Sequence, residues 1–279
     1  MRLVAILLCL LTVAPMARAV EFDGAFTQGG LVRGKASPGA RVTLDGQTLK
    51  VSADGDFVFG FGRDETGPVT LTVTRPDGTD LAYRFAVAPR DYNIQRIDGL
   101  DEDKVTPPPE YYARRKRETG RVAAARGYRT DALDWTGGFD WPAAGRISGV
   151  YGSQRILNGK PRWPHYGVDV AAPAGTPVAA PAAGVVRLAD SDFLLEGGIV
   201  IIDHGFGVTS TLFHLQRVDV AEGERVARGQ TIGAMGATGR ATGAHVDWRI
   251  NWGRVRLDPQ LIAGPLPDQP TTPHQQAAE

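Results

Sequence analysis

The chain has 279 residues, ordinary apolar content and frequent glycine and proline. That allows two modest domains and favours short strands and turns over long helices. Basic and acidic residues balance at 31 each, so there is no global field to gather nucleic acid, and no nucleic-acid partner is expected.

The chain opens with Met1-Arg2 and an apolar run, Leu3 to Leu11, followed by Ala17-Arg18-Ala19. This pattern predicts a secretory signal peptide over 1–19, cleaved after Ala19. The run is shorter than the roughly 20 residues a spanning helix needs, and bulky Leu8 before Cys9 argues against a lipoprotein. Cleavage would remove Cys9, the only cysteine, so no internal disulfide can form. No later stretch is long and apolar enough to cross a membrane, and no transmembrane segment is expected. The address read from this end is secretion across the inner membrane, to the periplasm or the medium.

Residues 20–90 read as short alternating strands broken by turns. Arg41-Val42-Thr43-Leu44 runs into the hairpin signal Asp45-Gly46 and then Gln47 to Val51; Phe57-Val58-Phe59, Val69 to Val73 and Leu81 to Val87 follow. The spacing predicts a small antiparallel β-sandwich similar to the immunoglobulin-like modules of secreted bacterial proteins. No catalytic constellation falls there, so a spacer or positioning role is preferred. Residues 91–130 form a linker, with a stiff Thr106-Pro107-Pro108-Pro109 piece and a helix from Glu110 to Arg126. Its basic run, Arg114-Arg115-Lys116-Arg117, reads first as a solvated helix face and second as a contact for anionic wall polymers or lipid headgroups. The helix is also a candidate cover for the groove of the following domain.

Residues 131–264 return to glycine-punctuated strands, including Pro177 to Ala180, Gly184 to Ala189, Ile199 to Ile202, Val208 to His214 and Ala244 to Ile250. The fold class is therefore all-β, a sandwich-like domain plus a C-terminal antiparallel sheet domain joined by one helix. Residues 265–279 are polar and proline-rich and read as a disordered tail; His274 lies in it and is not a ligand candidate.

Four of the five histidines fall between His165 and His245. His165 and Asp169 are four apart, and on extended backbone they share a face. His245 and Asp247, two apart, project together while Val246 and Trp248 turn to the core. His214 ends a strand whose Ser210 and Leu212 would share its face. A single buried histidine is easily a core residue; several together would each need a buried partner, and a borderline cation such as Zn²⁺ accepts this donor set.

The order of motifs is similar to that of the lysostaphin-type, LytM-like zinc peptidoglycan endopeptidases. The resemblance covers Ile147 to Pro259: Ile147-Ser148-Gly149-Val150-Tyr151-Gly152, His165-Tyr166-Gly167-Val168-Asp169, Gly184-Val185-Val186, Asp203-His204-Gly205, Leu212-Phe213-His214 and Thr238-Gly239-Arg240-Ala241-Thr242-Gly243-Ala244-His245. It implies a sheet domain of the duplicated hybrid motif type, one zinc ion held by His165, Asp169 and Asp247, and His214 and His245 as catalytic residues. It further implies peptidoglycan peptides as substrate, with room for envelope protein partners. The activity so implied is a secreted zinc metallo-endopeptidase. The alternative is a non-catalytic module that binds the wall or activates another hydrolase. Tyr151 and Trp163 are candidates for the groove wall or for core packing, and His204 is left outside the metal shell.

The sequence departs from the family at one position, where the usual His-x-His reads His245-Val246-Asp247. Asp also ligates zinc, and its oxygens lie about as far from Cβ as the nearer imidazole nitrogen. His-Asp-Asp around Zn²⁺ sums to zero where His-Asp-His sums to one positive charge. This predicts a weaker Lewis acid, with the bound water's pKa above the ~7 of ordinary catalytic zinc and a higher pH optimum or slower turnover than Asp247→His.

Overall fold

In the computed structural model, residues 20–98 and 110–267 are described. The expected signal peptide, the proline piece at 106–109 and the tail from 268 onward, with His274, lie outside the described residues.

Alternating apolar residues build two small antiparallel sheets first. β1 (Glu21–Gly24), β2 (Leu31–Lys35) and β5 (Asp56–Gly60) form one, and β4 (Gln47–Thr48), β3 (Arg41–Leu44), β6 (Pro68–Thr74) and β7 (Asp80–Ala86), in that spatial order, form the other. Val32, Phe57 and Phe59 from the first sheet pack with Val42, Leu71 and Val73 from the second. At the β3–β4 turn both Asp45 and Gly46 have positive φ, 45° and 80°, as a two-residue hairpin of matching twist requires.

The linker strand β8 (Ile94–Ile97) pairs in parallel with β10 (Gln154–Leu157), which in turn pairs with β11 (Lys160–Pro161). The predicted helix is α1 (Glu110–Ala125), followed by a 3₁₀ turn at Asp134–Gly137. The largest sheet has ten strands. Its main path runs β17 (Arg225–Val226), β14 (Gly184–Phe193), β15 (Gly197–Gly205), β16 (Val208–Val218), β19 (Val246–Trp252), β12 (Val168–Ala171), β9 (Arg146–Gly149). β13 (Pro177–Ala179) and β18 (Thr231–Met235) pair with each other, β18 also borders β16, and β20 (Val255–Leu257) borders β19.

The sheet's two faces differ in character. Val168, Val170, Val200, Ile202, Leu212, Val246, Trp248 and Ile250 point into the main core with Trp135 and Phe139. Leu188, Phe193, Ile199, Ile201 and Phe213 point to the opposite face, where Val122 and Ala125 of α1 cover them. The histidines and carboxylates singled out in the sequence stand on this second face.

α1 is tied down by its own basic residues. Arg114 pairs with Glu118, Arg115 with Glu196 through two contacts of 2.5 and 2.7 Å, and Arg121 with Asp190 at 2.6 Å. The basic run is thus neither wholly a solvated face nor a free site for anionic polymers: Arg114 and Arg115 are occupied by carboxylates of this chain.

Ordered packing reaches the first residues after 264. α2 (Pro259–Ala263) is N-capped by Asp258, which accepts from the Gln260 amide at 2.9 Å. Leu266 is only 4% exposed and joins the main core, and Trp141 Nε1 donates to the Gly264 carbonyl at 3.1 Å. Apolar anchoring therefore continues past 264. Composition could not show it, because one leucine among prolines carries no periodicity.

The N-terminal sheets are fastened to the large one. Leu31 and Val58 enter the main core, and Arg63 Nε donates to the Gly152 carbonyl at 2.9 Å. Arg90 meets buried Asp258 at 2.8 Å. A Cβ on Gly60 would stand 2.6 Å from Leu257 Cδ2, so the close approach of β5 to β20 depends on glycine. Among the described residues no helix is long and apolar enough to cross a membrane.

Candidate metal centre

β12 and β19 run antiparallel with Asp169 directly opposite Asp247. Their neighbours Val168, Val170, Val246 and Trp248 are fully buried on the core side, which forces both carboxylates onto the other face. His165 lies in the loop before β12. It is held by its own amide donating to the Ser153 carbonyl and by its carbonyl accepting from Gly152, both at 2.8 Å. Its Nε2 stands 3.2 Å from Asp169 Oδ1, and its Nδ1 stands 4.0 Å from Asp247 Oδ2. Ligand atoms of His165, Asp169 and Asp247 all fall within 4.8 Å of one another.

His165 Nε2 and Asp169 Oδ1 are buried and have no partner besides each other. Two such atoms facing each other are costly unless a cation satisfies them. Their separation is close to the edge of a tetrahedron with ~2.0–2.2 Å bonds to zinc, so the pair fits a metal ion. A Cβ on Gly149 would stand 2.1 Å from Asp169 Oδ2; the bare glycine there leaves space for the carboxylate.

His214 and His245 lie beside this group with ring centroids 4.6 Å apart. His214 Nδ1 is 2.8 Å from the Thr238 carbonyl, and His245 Nδ1 is 2.9 Å from the Gly243 carbonyl. A carbonyl only accepts, so each Nδ1 carries a proton, and in the neutral tautomer the ring's lone pair is on Nε2. His245 Nε2 stands 3.9 Å from Asp169 Oδ1. Burial holds the His214 imidazole below its ordinary pKa, which keeps it neutral. At His165 burial acts downward as well, but Asp247 and Asp169 outweigh it and the net shift is upward.

The expected strand geometry of His214 is corrected. Leu212 points to the main core, and simple alternation would send His214 after it. Instead, Phe213 and His214 together oppose a single residue of β15, since Gly198 pairs with Leu215 and Val200 with Leu212. His214 has φ 64°. The bulge turns the imidazole onto the face of His245, and its amide donates to the Glu196 carbonyl at 2.8 Å. Spacing alone cannot reveal a bulge.

Arg249 was missed entirely. Its Nε lies 3.0 and 3.1 Å from the two oxygens of Asp247, and its Nη2 lies 2.6 Å from Oδ2. Burial pushes the Asp247 carboxyl up, but Arg249 and then His165 outweigh it and hold it at about 2. Arg249 thus places one positive charge within hydrogen-bond distance of Asp247, which a charge sum over His165, Asp169 and Asp247 alone leaves out. Alternation carried one step past Asp247 would have found it.

Tyr151 is 2% exposed and a core residue, whereas Trp163 is 89% exposed. His204 is fully buried between the Ala183 carbonyl and the Ser210 hydroxyl, away from the centre.

The model of peptidase family M23 matches residues 163–259, which span every residue of this centre. A crystallised Pseudomonas aeruginosa protein assigned to peptidase M23 shares 30% identity over 85% of this chain and 94% of its own, with a TM-score of 0.65. The chain belongs to peptidase family M23. The peptidoglycan DD-endopeptidase ShyC of Vibrio cholerae is 39% identical over 36% of this chain and 23% of its own. The DD-carboxypeptidase/endopeptidase Mpg of Neisseria meningitidis is 38% identical over 54% of this chain and 33% of its own. The chain thus spans a third or less of the length of these curated relatives.

Proposed function

We propose that the protein is a zinc-dependent metallo-endopeptidase that hydrolyses peptide bonds of peptidoglycan in the cell envelope. The observation that carries this reading is the facing pair His165 Nε2 and Asp169 Oδ1, buried with no partner besides each other and set beside Asp247. His165, Asp169 and Asp247 would hold one zinc ion, which supplies Lewis acidity toward a peptide carbonyl and a site for the attacking water. His245, its Nδ1 tied to Gly243 and its Nε2 3.9 Å from Asp169, would take a proton from the attacking water at Nε2 and return it to the leaving amine. His214, neutral and tied through Nδ1 to Thr238, shares that proton work or steadies the developing oxyanion. Peptidoglycan as substrate is supported by the likeness to the peptidoglycan DD-endopeptidase ShyC, and an envelope address by the leader pattern at 1–19. The immunoglobulin-like unit of residues 20–90 is a positioning module, a role supported by its firm attachment at Arg63 and Arg90.

The second reading, a non-catalytic wall-binding or hydrolase-activating module, draws support from Asp247, both of whose oxygens Arg249 engages. Metal analysis of the purified protein, with muropeptide release by wild type and His245→Ala, separates the two. One zinc per chain and release abolished by His245→Ala are expected. Zinc-free protein that releases nothing would overturn the peptidase reading.

A further inference from the structure

Arg249 and Asp247 form a buried ion pair on one strand face, two residues apart. The Asp247 side chain is 4% exposed and that of Arg249 23%. The guanidinium also lies over the Phe213 ring, 4.7 Å from its centroid. A Cβ on Gly167 would stand 2.5 Å from Asp247 Oδ1 and 2.6 Å from Arg249 Cγ, so the pair fills space that only a glycine leaves. Desolvation makes such a pair a poor source of stability compared with apolar packing. Its position suggests another use, because Asp247 stands opposite Asp169 and a second carboxylate would otherwise share the cavity without a fixed counter-charge.

We infer that Arg249 is a positioning residue of the metal centre, acting on the ion through Asp247 without touching substrate. The inference rests on the metallopeptidase reading above. The fork of Arg249 holds the carboxylate in one orientation and occupies the lone pairs that face it. Oδ2 takes two of the Arg249 contacts and Oδ1 only one, so at two partners per oxygen the free lone pair is on Oδ1, and binding through a single oxygen is favoured over chelation. The guanidinium also returns the positive charge that Asp in place of His removes, which keeps the centre as electrophilic as a His-Asp-His one.

Two opposite consequences follow from removing the cation. A divalent ion no longer feels a buried positive neighbour, so the Arg249→Met variant should bind zinc roughly tenfold more tightly or better. The same variant leaves Asp247 and Asp169 facing each other without a counter-charge, so the metal-free protein should melt lower than wild type. A merely structural arginine would lower both stability and affinity.

The test is a zinc competition titration of full-length wild type, Arg249→Met and Arg249→Lys against a chromophoric chelator. Thermal melts of the metal-free proteins and visible spectra of their cobalt(II) forms complete it. Tighter zinc binding with a lower metal-free melting point in Arg249→Met is expected. The lysine variant should return to near wild-type affinity, and the cobalt spectrum of the methionine variant should change as Asp247 becomes free to chelate. If wild type binds zinc and Arg249→Met binds it no more tightly, the inference fails alone. If wild type binds no zinc, the metallopeptidase reading and the inference fail together, whatever the variant does.

Discussion

At the residue scale, the chain carries a buried histidine that the proposed chemistry does not use. His204 Nδ1 lies 2.6 Å from the Ala183 carbonyl and Nε2 2.9 Å from the Ser210 hydroxyl, an arrangement that satisfies the neutral ring, with Nδ1 donating to the carbonyl and the hydroxyl donating to Nε2. Burial holds its pKa at about 4 against an ordinary 6.5. Between those values the unfolded chain binds a proton that the folded chain refuses. The stability is therefore complete above pH 6.5 and declines as pH falls toward 4, by roughly 3 kcal/mol in all. Urea unfolding at pH 7, 5.5 and 4.5 should show this slope in wild type and a shallower one in His204→Asn; equal slopes would refute the assignment. Arg249 likewise revises what restoring a histidine at 247 would do. Asp247→His would leave the guanidinium unpaired beside the metal and should weaken zinc binding by about tenfold, while Asp247→His with Arg249→Met should recover it, as equilibrium dialysis would show. The sequence made His165, Asp169, His245 and Asp247 legible because strand alternation and motif order mark them. Arg249 and Glu196 were not legible, since their roles depend on partners across or along the sheet.

At the level of elements, α1 and the bulge in β16 act together. Arg115 grips the Glu196 side chain, and the Glu196 carbonyl accepts from the amide of His214. The helix is thereby linked to the one residue whose backbone departs from its strand. The helix itself was readable from composition, but its seat was not, because three of the apolar positions it covers (Ile199, Ile201 and Phe213) lie in stretches of β15 and β16 that are buried on both faces and show no alternation. Arg115→Met should leave Glu196 without its fork, costing about 1–2 kcal/mol for a half-buried pair. Hydrogen exchange should then quicken at the His214 amide while β12 keeps its protection. Unchanged exchange at His214 would show that the bulge stands without the helix.

For the whole molecule, two sets of strands were evident from turn signals, but their fusion was not, since it depends on side chains with no pattern of their own. Arg63 reaches Gly152, Arg90 reaches Asp258, and β5 lies against Leu257 where Gly60 has no side chain. Leu31 and Val58 from the first unit share a core with Trp248 and Leu257 from the second. Units that share a core lose their contacts together, so a single unfolding transition is expected by calorimetry. Arg90 is the sharpest place to test the joint. Asp258 is 1% exposed, caps α2 through the Gln260 amide, and donates its own amide to the Gly29 carbonyl at 2.8 Å. Arg90→Met should strand this carboxylate and cost about 2–3 kcal/mol, less than a fully buried pair because Arg90 keeps some contact with water. Asp258→Asn in the same background should recover part of the loss, since the amide accepts from Gln260 without a charge to bury. Losses that simply add in that double-mutant cycle would mean that the two units are held by their shared apolar core and not by this ion pair.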